Sequence, residues 1–139
     1  MSDDEPRRIE VFFYGLFMDE GLLIEKGASP QNRRIAQLDN FCLLIGERAT
    51  LVPCAGKKIY GVVYSLTHRE VNLLYSEPSV SEYRPEAVPA RLTDGSLVPA
   101  LCFNLVSPPA IGERNPDYAA KLIQLAERIG LPPEYVRSI

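Results

Sequence analysis

The chain has 139 residues, 46% of them apolar and 24% charged, with 15 basic and 18 acidic side chains and a formal charge of −3. This length suits one domain, since domains commonly run to about 100–200 residues, and it can bury a core without disulfides or a metal. The charge is spread along the chain, which excludes the basic patch of a nucleic-acid surface, and no apolar run approaches the roughly 20 residues that cross a bilayer.

Residues 1–8 are polar and acidic and read as a loose tail rather than a signal peptide. A single domain is expected over residues 9–139. Residues 9–14 form a short apolar, aromatic run closed by Gly15, the pattern of a buried strand followed by a turn. Residues 19–26 carry Leu22, Leu23 and Ile24 and predict a short helix ended by Gly27. Residues 33–45 predict one strand with an irregularity, 49–53 a second short strand, and 54–57 a polar turn. Residues 58–66 are the clearest strand, rich in β-favouring Tyr60, Val62, Val63 and Tyr64 and apolar on both faces, as in a barrel or a covered sheet.

Thr67-His68-Arg69-Glu70 has the form of a capping box, in which a hydroxyl and a carboxylate satisfy the first free amides of a helix. That helix is expected to turn Val71, Leu74 and Tyr75 inward and to stop before Pro78. Residues 83–92 and 97–106 predict a hairpin about Asp94-Gly95, with Pro89 and Pro99 marking edge or bulge positions. Asn115-Pro116 fits an N-cap followed by proline at the first helical position. Tyr118, Leu122, Leu125 and Ile129 recur at helical spacing and read as a core stripe, and Gly130 closes the helix. The order is strand, short helix, strands, helix, hairpin, helix. It predicts an α+β domain with a small mixed sheet, closed into a barrel and flanked by helices.

Cys42, Cys54 and Cys102 are odd in number and lack metal-ligand spacing, so they read as buried free thiols of a cytoplasmic protein. His68 is the only histidine, and it reads as a helix-surface residue with no nucleophile motif beside it.

Four segments taken in order resemble one known family. The first runs Val11-Phe12-Phe13-Tyr14-Gly15-Leu16-Phe17-Met18-Asp19, the second Ile59-Tyr60-Gly61-Val62-Val63-Tyr64. The third is Leu73-Leu74-Tyr75-Ser76-Glu77-Pro78 followed by Tyr83. The fourth runs from Tyr118 to Gly130-Leu131-Pro132-Pro133-Glu134-Tyr135-Val136. Together they are similar to the gamma-glutamylcyclotransferase-like (AIG2-like) superfamily. The resemblance implies a mixed barrel-like fold with a Tyr-Gly loop and a glutamate facing one cavity. It implies cyclisation of a gamma-glutamyl group to 5-oxoproline with release of an amine. It implies no metal or organic cofactor, and a small-molecule gamma-glutamyl substrate as partner, with neither nucleic acid nor membrane.

On this resemblance Glu77 is the general acid/base. Tyr14, Gly15, Leu16, Phe17 and Tyr83 line the substrate pocket, with the amides of residues 15, 16 and 17 as oxyanion donors. A place just past a helix C-terminus and burial against Leu74 and the loop are both expected to favour the protonated acid at Glu77. Glu82 and Glu86 are the rival carboxylates. Leu16, Phe17, Tyr75, Pro78 and Phe103 depart from the family's usual residues, mostly exchanging polar groups for apolar ones. The alternative reading is a non-catalytic relative that binds a small molecule or a protein through the same cavity.

Overall fold

The computed structural model describes residues 7–139. Most of the segment read as a tail lies outside the described residues, and Arg8 already belongs to the first strand. Five strands, β1 (Arg8–Phe13), β2 (Gln31–Ile45), β3 (Ala49–Thr67), β4 (Tyr83–Leu92) and β5 (Leu97–Leu105), close into a barrel in the order β1-β3-β2-β4-β5. All neighbours are antiparallel except β1 and β5, which meet in parallel at Val11–Leu101 and Phe12–Cys102. Four helices flank the barrel: α1 (Glu20–Glu25), α2 (His68–Leu74), α3 (Pro116–Ile129) and α4 (Pro133–Ser138). Single 3-10 turns lie at Leu16–Met18 and Pro78–Val80.

β3 is the hub. It pairs with β2 along most of its length and with β1 over its second half, so Val62, Val63 and Tyr64 are buried whichever face they point to. The expected turn at 54–57 is absent, and residues 49–67 form one strand. Gly56 at φ 80° and Asn40 at φ 66° bend together, and the Gly56 amide donates to Asn40 Oδ1 at 3.0 Å. The β2–β3 ladder shifts register there and resumes, because a bulge absorbs the irregular residues without ending the pairing.

The same register corrects the cysteine reading. Cys42 pairs with Val52 in the ladder, and Cys54, two residues further along β3, lies diagonal to it with Cα atoms 5.5 Å apart and forms a disulfide with it; Cys102 is the free, buried thiol among the described residues.

The local signals act as their chemistry requires. Thr67 and Glu70 form the full capping box of α2. Asn115 caps α3 through the Tyr118 amide, and Gly130 ends it in the left-handed region. Gly95 at φ 90° closes the β4–β5 hairpin, with Asp94 Oδ1 accepting from the Ser96 amide and hydroxyl. Pro89 and Pro99 sit opposite each other, outside the short stretches where β4 meets β2 and β5 meets β1. No helix among the described residues is long and apolar enough to cross a membrane.

Candidate active site

A cavity of about 270 Å³ opens where β1 leaves the barrel. One wall is the end of β1 and the loop after it, from Phe12 to Phe17, with Leu22 of α1 beyond. Opposite stand Tyr75, Ser79, Val80 and Tyr83, on the connection from α2 into β4. Phe103 of β5 and Tyr118 of α3 complete the interior, and Glu47, Arg48 and Ala49 form the rim at the entry to β3.

The interior is aromatic and fixed by its own hydroxyls. Tyr14 donates to the Phe103 carbonyl at 2.7 Å, and Tyr83 donates to the carbonyl of Ala49. Tyr64 donates to the Met18 carbonyl at 2.8 Å and so pins the 3-10 turn from below. Tyr75 stacks on Phe103 with ring centres 4.0 Å apart and meets Phe17 edge-on at 5.7 Å. Burial raises the Tyr14 and Tyr75 phenols well above their usual range and pushes Tyr83 up to about 12. Burial also raises Tyr118, against the opposing effect of the Leu16 amide. These phenols therefore stay protonated near neutrality and serve as donors and walls rather than bases.

The Tyr-Gly loop lines this space from Tyr14 to Phe17. Its own hydrogen bonds run from the Met18 and Asp19 amides to the carbonyls of Gly15 and Leu16. Among the described residues these backbone bonds do not engage the amides of Gly15, Leu16 and Phe17, and the Leu16 amide faces the Tyr118 hydroxyl instead. Gly15 has an extended backbone, φ −112°, which any residue adopts. What demands glycine is space, because a Cβ there would stand 2.5 Å from the Tyr118 hydroxyl.

Glu77 lies two residues past the Tyr75 cap of α2, and its side chain takes a different direction from the one expected. It precedes the Pro78–Val80 turn and lies between cavity-lining Tyr75 and Ser79. Its carboxylate is outside the lining and accepts from Lys26 Nζ of the segment after α1 at 2.6 Å. The Glu77 side chain is 44% exposed and that of Lys26 29%, so the expected burial against Leu74 and the loop is corrected. The reason is a cation supplied across 51 residues of sequence. The rival Glu82 pairs with Arg48 at the rim, and Glu86 accepts from Asn104 Nδ2 at 2.5 Å.

Of the residues singled out from the sequence, Tyr14, Gly15, Leu16, Phe17 and Tyr83 converge on the cavity, and Glu77 stands at its edge. Sequence reasoning missed Arg48 and Glu47, which sit in a short turn without any motif. It took Tyr118 for core. The signal available there was an aromatic in the first turn of a helix, one turn ahead of the buried Leu122. Among the described residues no three His, Cys, Asp or Glu side chains gather where they could hold a metal ion.

Residues 11–120 match the family described as gamma-glutamyl cyclotransferase, AIG2-like. No curated protein sequence matches the chain. Among solved structures, one named gamma-glutamyl cyclotransferase superposes with a TM-score of 0.81 at 20% identity, covering 95% of this chain and 86% of that one. YkqA from Bacillus subtilis superposes with a TM-score of 0.76 at 23% identity, over 99% of this chain and 54% of that one. A gamma-glutamyl cyclotransferase specific to glutathione from yeast does so with a TM-score of 0.64 at 14% identity, over 95% of this chain and 93% of that one. These likenesses establish the barrel fold, and the match over residues 11–120 establishes more: the chain belongs to the gamma-glutamyl cyclotransferase, AIG2-like family.

Proposed function

We propose that the protein cyclises a gamma-glutamyl group to 5-oxoproline and releases the amine that carried it, with Glu77 as general acid/base. The observation that carries this reading is one juxtaposition within the family-matched segment. The Tyr14–Phe17 loop, whose amides are outside the backbone hydrogen bonds, and the segment bearing Glu77 border the same cavity.

In this reaction the substrate's α-nitrogen attacks its own γ-carbonyl carbon. An α-ammonium has no lone pair, and its usual pKa is about 7.7–8, so a nearby carboxylate assists by taking a proton. The new C–N bond closes a five-membered ring, and charge collects on the carbonyl oxygen. On this reading amides of the Gly15–Phe17 loop supply the donors for that oxygen. Collapse breaks the original amide C–N bond. The two protons shed by the α-nitrogen end on the departing nitrogen, relayed by the carboxylate, so no water is consumed. For this the Glu77 side chain leaves Lys26 and turns towards Tyr75 and Ser79. Half-exposed ion pairs contribute about 0–1 kcal/mol, so the exchange is cheap beside a catalytic barrier.

The test is release of 5-oxoproline from a panel of gamma-glutamyl amines, amino acids and peptides. Turnover by the wild-type chain that falls with Glu77→Gln supports the reading, and absence of turnover across the panel rejects it. The second reading, a binding protein without activity, is favoured by the Tyr75–Phe103 stack that fills the interior and by the Lys26 hold on Glu77. A metabolite that raises the melting temperature through native-state binding, with no 5-oxoproline formed, would establish it.

A further inference from the structure

We propose that Arg48 is the specificity-determining residue that reads the α-carboxylate of the substrate, an assignment that rests on the cyclisation reading above. Among the described residues lining the cavity, Arg48 is the one cation. The interior behind it is aromatic and its donors are neutral phenols and loop amides without a countercharge, so a carboxylate placed there without its cation would be costly. A gamma-glutamyl group and the 5-oxoproline formed from it both carry that carboxylate. Its place is therefore the rim, at Arg48.

The backbone beneath Arg48 is held from several sides. The Gly46 amide donates to the Arg48 carbonyl at 3.1 Å. Glu113 accepts from the Glu47 amide at 2.8 Å and from the Ala110 amide at 2.9 Å. Asn115 Nδ2 donates to the Glu47 carbonyl at 3.2 Å. A Cβ at Gly46 would stand 2.6 Å from both Pro109 and Glu113, so the loop ahead of α3 lies flush on this turn. Asn115 also caps α3, the helix that carries Tyr118 into the cavity. The guanidinium is thus aimed by a fixed turn and registered to the same helix as the cavity wall.

Its present partner shows what it binds. Arg48 holds the carboxylate of Glu82, whose side chain is 68% exposed, while Arg48 itself is 34% exposed. A guanidinium in this setting exchanges one carboxylate for another with its fork geometry kept. Glu82 acts as a stand-in that keeps the site ordered until a substrate carboxylate displaces it.

The α-carboxylate takes no part in bond making or breaking, so its recognition stabilises bound substrate and transition state alike. Loss of such uniform binding raises KM and leaves kcat nearly unchanged. The experiment compares each gamma-glutamyl substrate with its α-carboxamide analogue, on wild type, Arg48→Met, Arg48→Lys and Glu82→Gln. The wild-type chain is expected to favour the free acid. Arg48→Met is expected to raise KM for the acid about 10- to 100-fold, the loss expected for a charge-assisted hydrogen bond, with the carboxamide hardly affected. Arg48→Lys is expected to fall between, and Glu82→Gln to lower KM by freeing the arginine. A parallel arm measures calorimetric binding of 5-oxoproline and of 2-pyrrolidone, which lacks the carboxylate. Turnover with an unchanged acid-to-amide ratio in Arg48→Met overturns the arginine assignment and leaves the cyclisation reading intact. No turnover, but 5-oxoproline binding that Arg48→Met abolishes, sustains the arginine and overturns the cyclisation. Neither turnover nor 5-oxoproline binding overturns both.

Discussion

The interior of the cavity and its rim are built on opposite principles. The interior is a set of aromatic rings whose hydroxyls are tied to backbone carbonyls, as at Tyr14–Phe103 and Tyr83–Ala49. The rim is a set of half-exposed ion pairs between long side chains, Lys26–Glu77 and Arg48–Glu82. Burial makes the interior contacts costly to break, whereas solvent makes the rim contacts easy to exchange. The groups that would have to change partners during a reaction therefore sit at the rim, and the groups that fix its shape sit inside. Changes to the interior should lower stability and activity together, and changes at the rim should alter activity alone.

The sharpest break comes from emptying the interior. Phe12 is 1% exposed and joins the barrel core to the cavity wall. Phe12→Ala is expected to cost about 3–5 kcal/mol, read by denaturant unfolding, with activity lost in step. An unfolding midpoint near that of the wild type would show that the interior is not under packing constraint.

Alkaline pH tests the same region without mutation. Burial pushes the Cys102 thiol from 9.0 to about 12, and the Tyr83 phenol from 10.0 to about 12. Both groups are protonated more readily in the folded chain, so their contribution to stability is complete below about pH 9. It is lost as the pH rises through about 12. Tyrosinate absorbance and circular dichroism should change together in that window. Ionisation of Tyr83 near pH 10 in a chain that stays folded would contradict the buried network.

A smaller and more local effect is expected at the loop. In Gly15→Ala the new methyl meets the Tyr118 hydroxyl, at a cost of about 1–3 kcal/mol. Adding Tyr118→Phe removes the colliding oxygen and should restore most of the loss. Failure of the double variant to recover would place the constraint elsewhere.

The smallest effect belongs to the rim. Lys26→Met releases Glu77 and is expected to leave the melting temperature nearly unchanged while raising kcat/KM about two- to fivefold, within the range of a half-exposed ion pair. A fall in activity would mean that Lys26 positions Glu77 rather than restraining it.

Features that depend on near neighbours in sequence were legible before the structure. The capping box at Thr67–Glu70, the Asn115-Pro116 helix start and the Asp94-Gly95 hairpin each rest on groups within three residues of one another. The Tyr14–Phe17 loop was legible too, because a buried strand ending in Tyr-Gly is a local pattern. What stayed hidden depends on register or on long reach. The stretch at 54–57 looks like a turn, yet Asn40 on the neighbouring strand carries the ladder past it. The Cys42–Cys54 disulfide crosses the same two strands on a diagonal beside the register shift. Arg48 lies in a motif-free turn whose aim is set by Glu113 and Asn115. The direction of the Glu77 side chain is decided by Lys26. No spacing within the sequence encodes either contact.

The central claim is that Glu77, rather than a neighbouring carboxylate, carries the proton transfers. The most direct measurement follows 5-oxoproline formation by Glu77→Gln and Glu86→Gln at saturating gamma-glutamyl substrate, with folding checked by circular dichroism. Glu86 bonds Asn104 from an exposed position on β4, and its amide variant keeps that acceptor oxygen. Glu77→Gln is expected to lower kcat about 10²–10⁴-fold, the usual range for a general acid/base, and Glu86→Gln to keep wild-type turnover. Equal turnover by Glu77→Gln and the wild-type chain would contradict that claim.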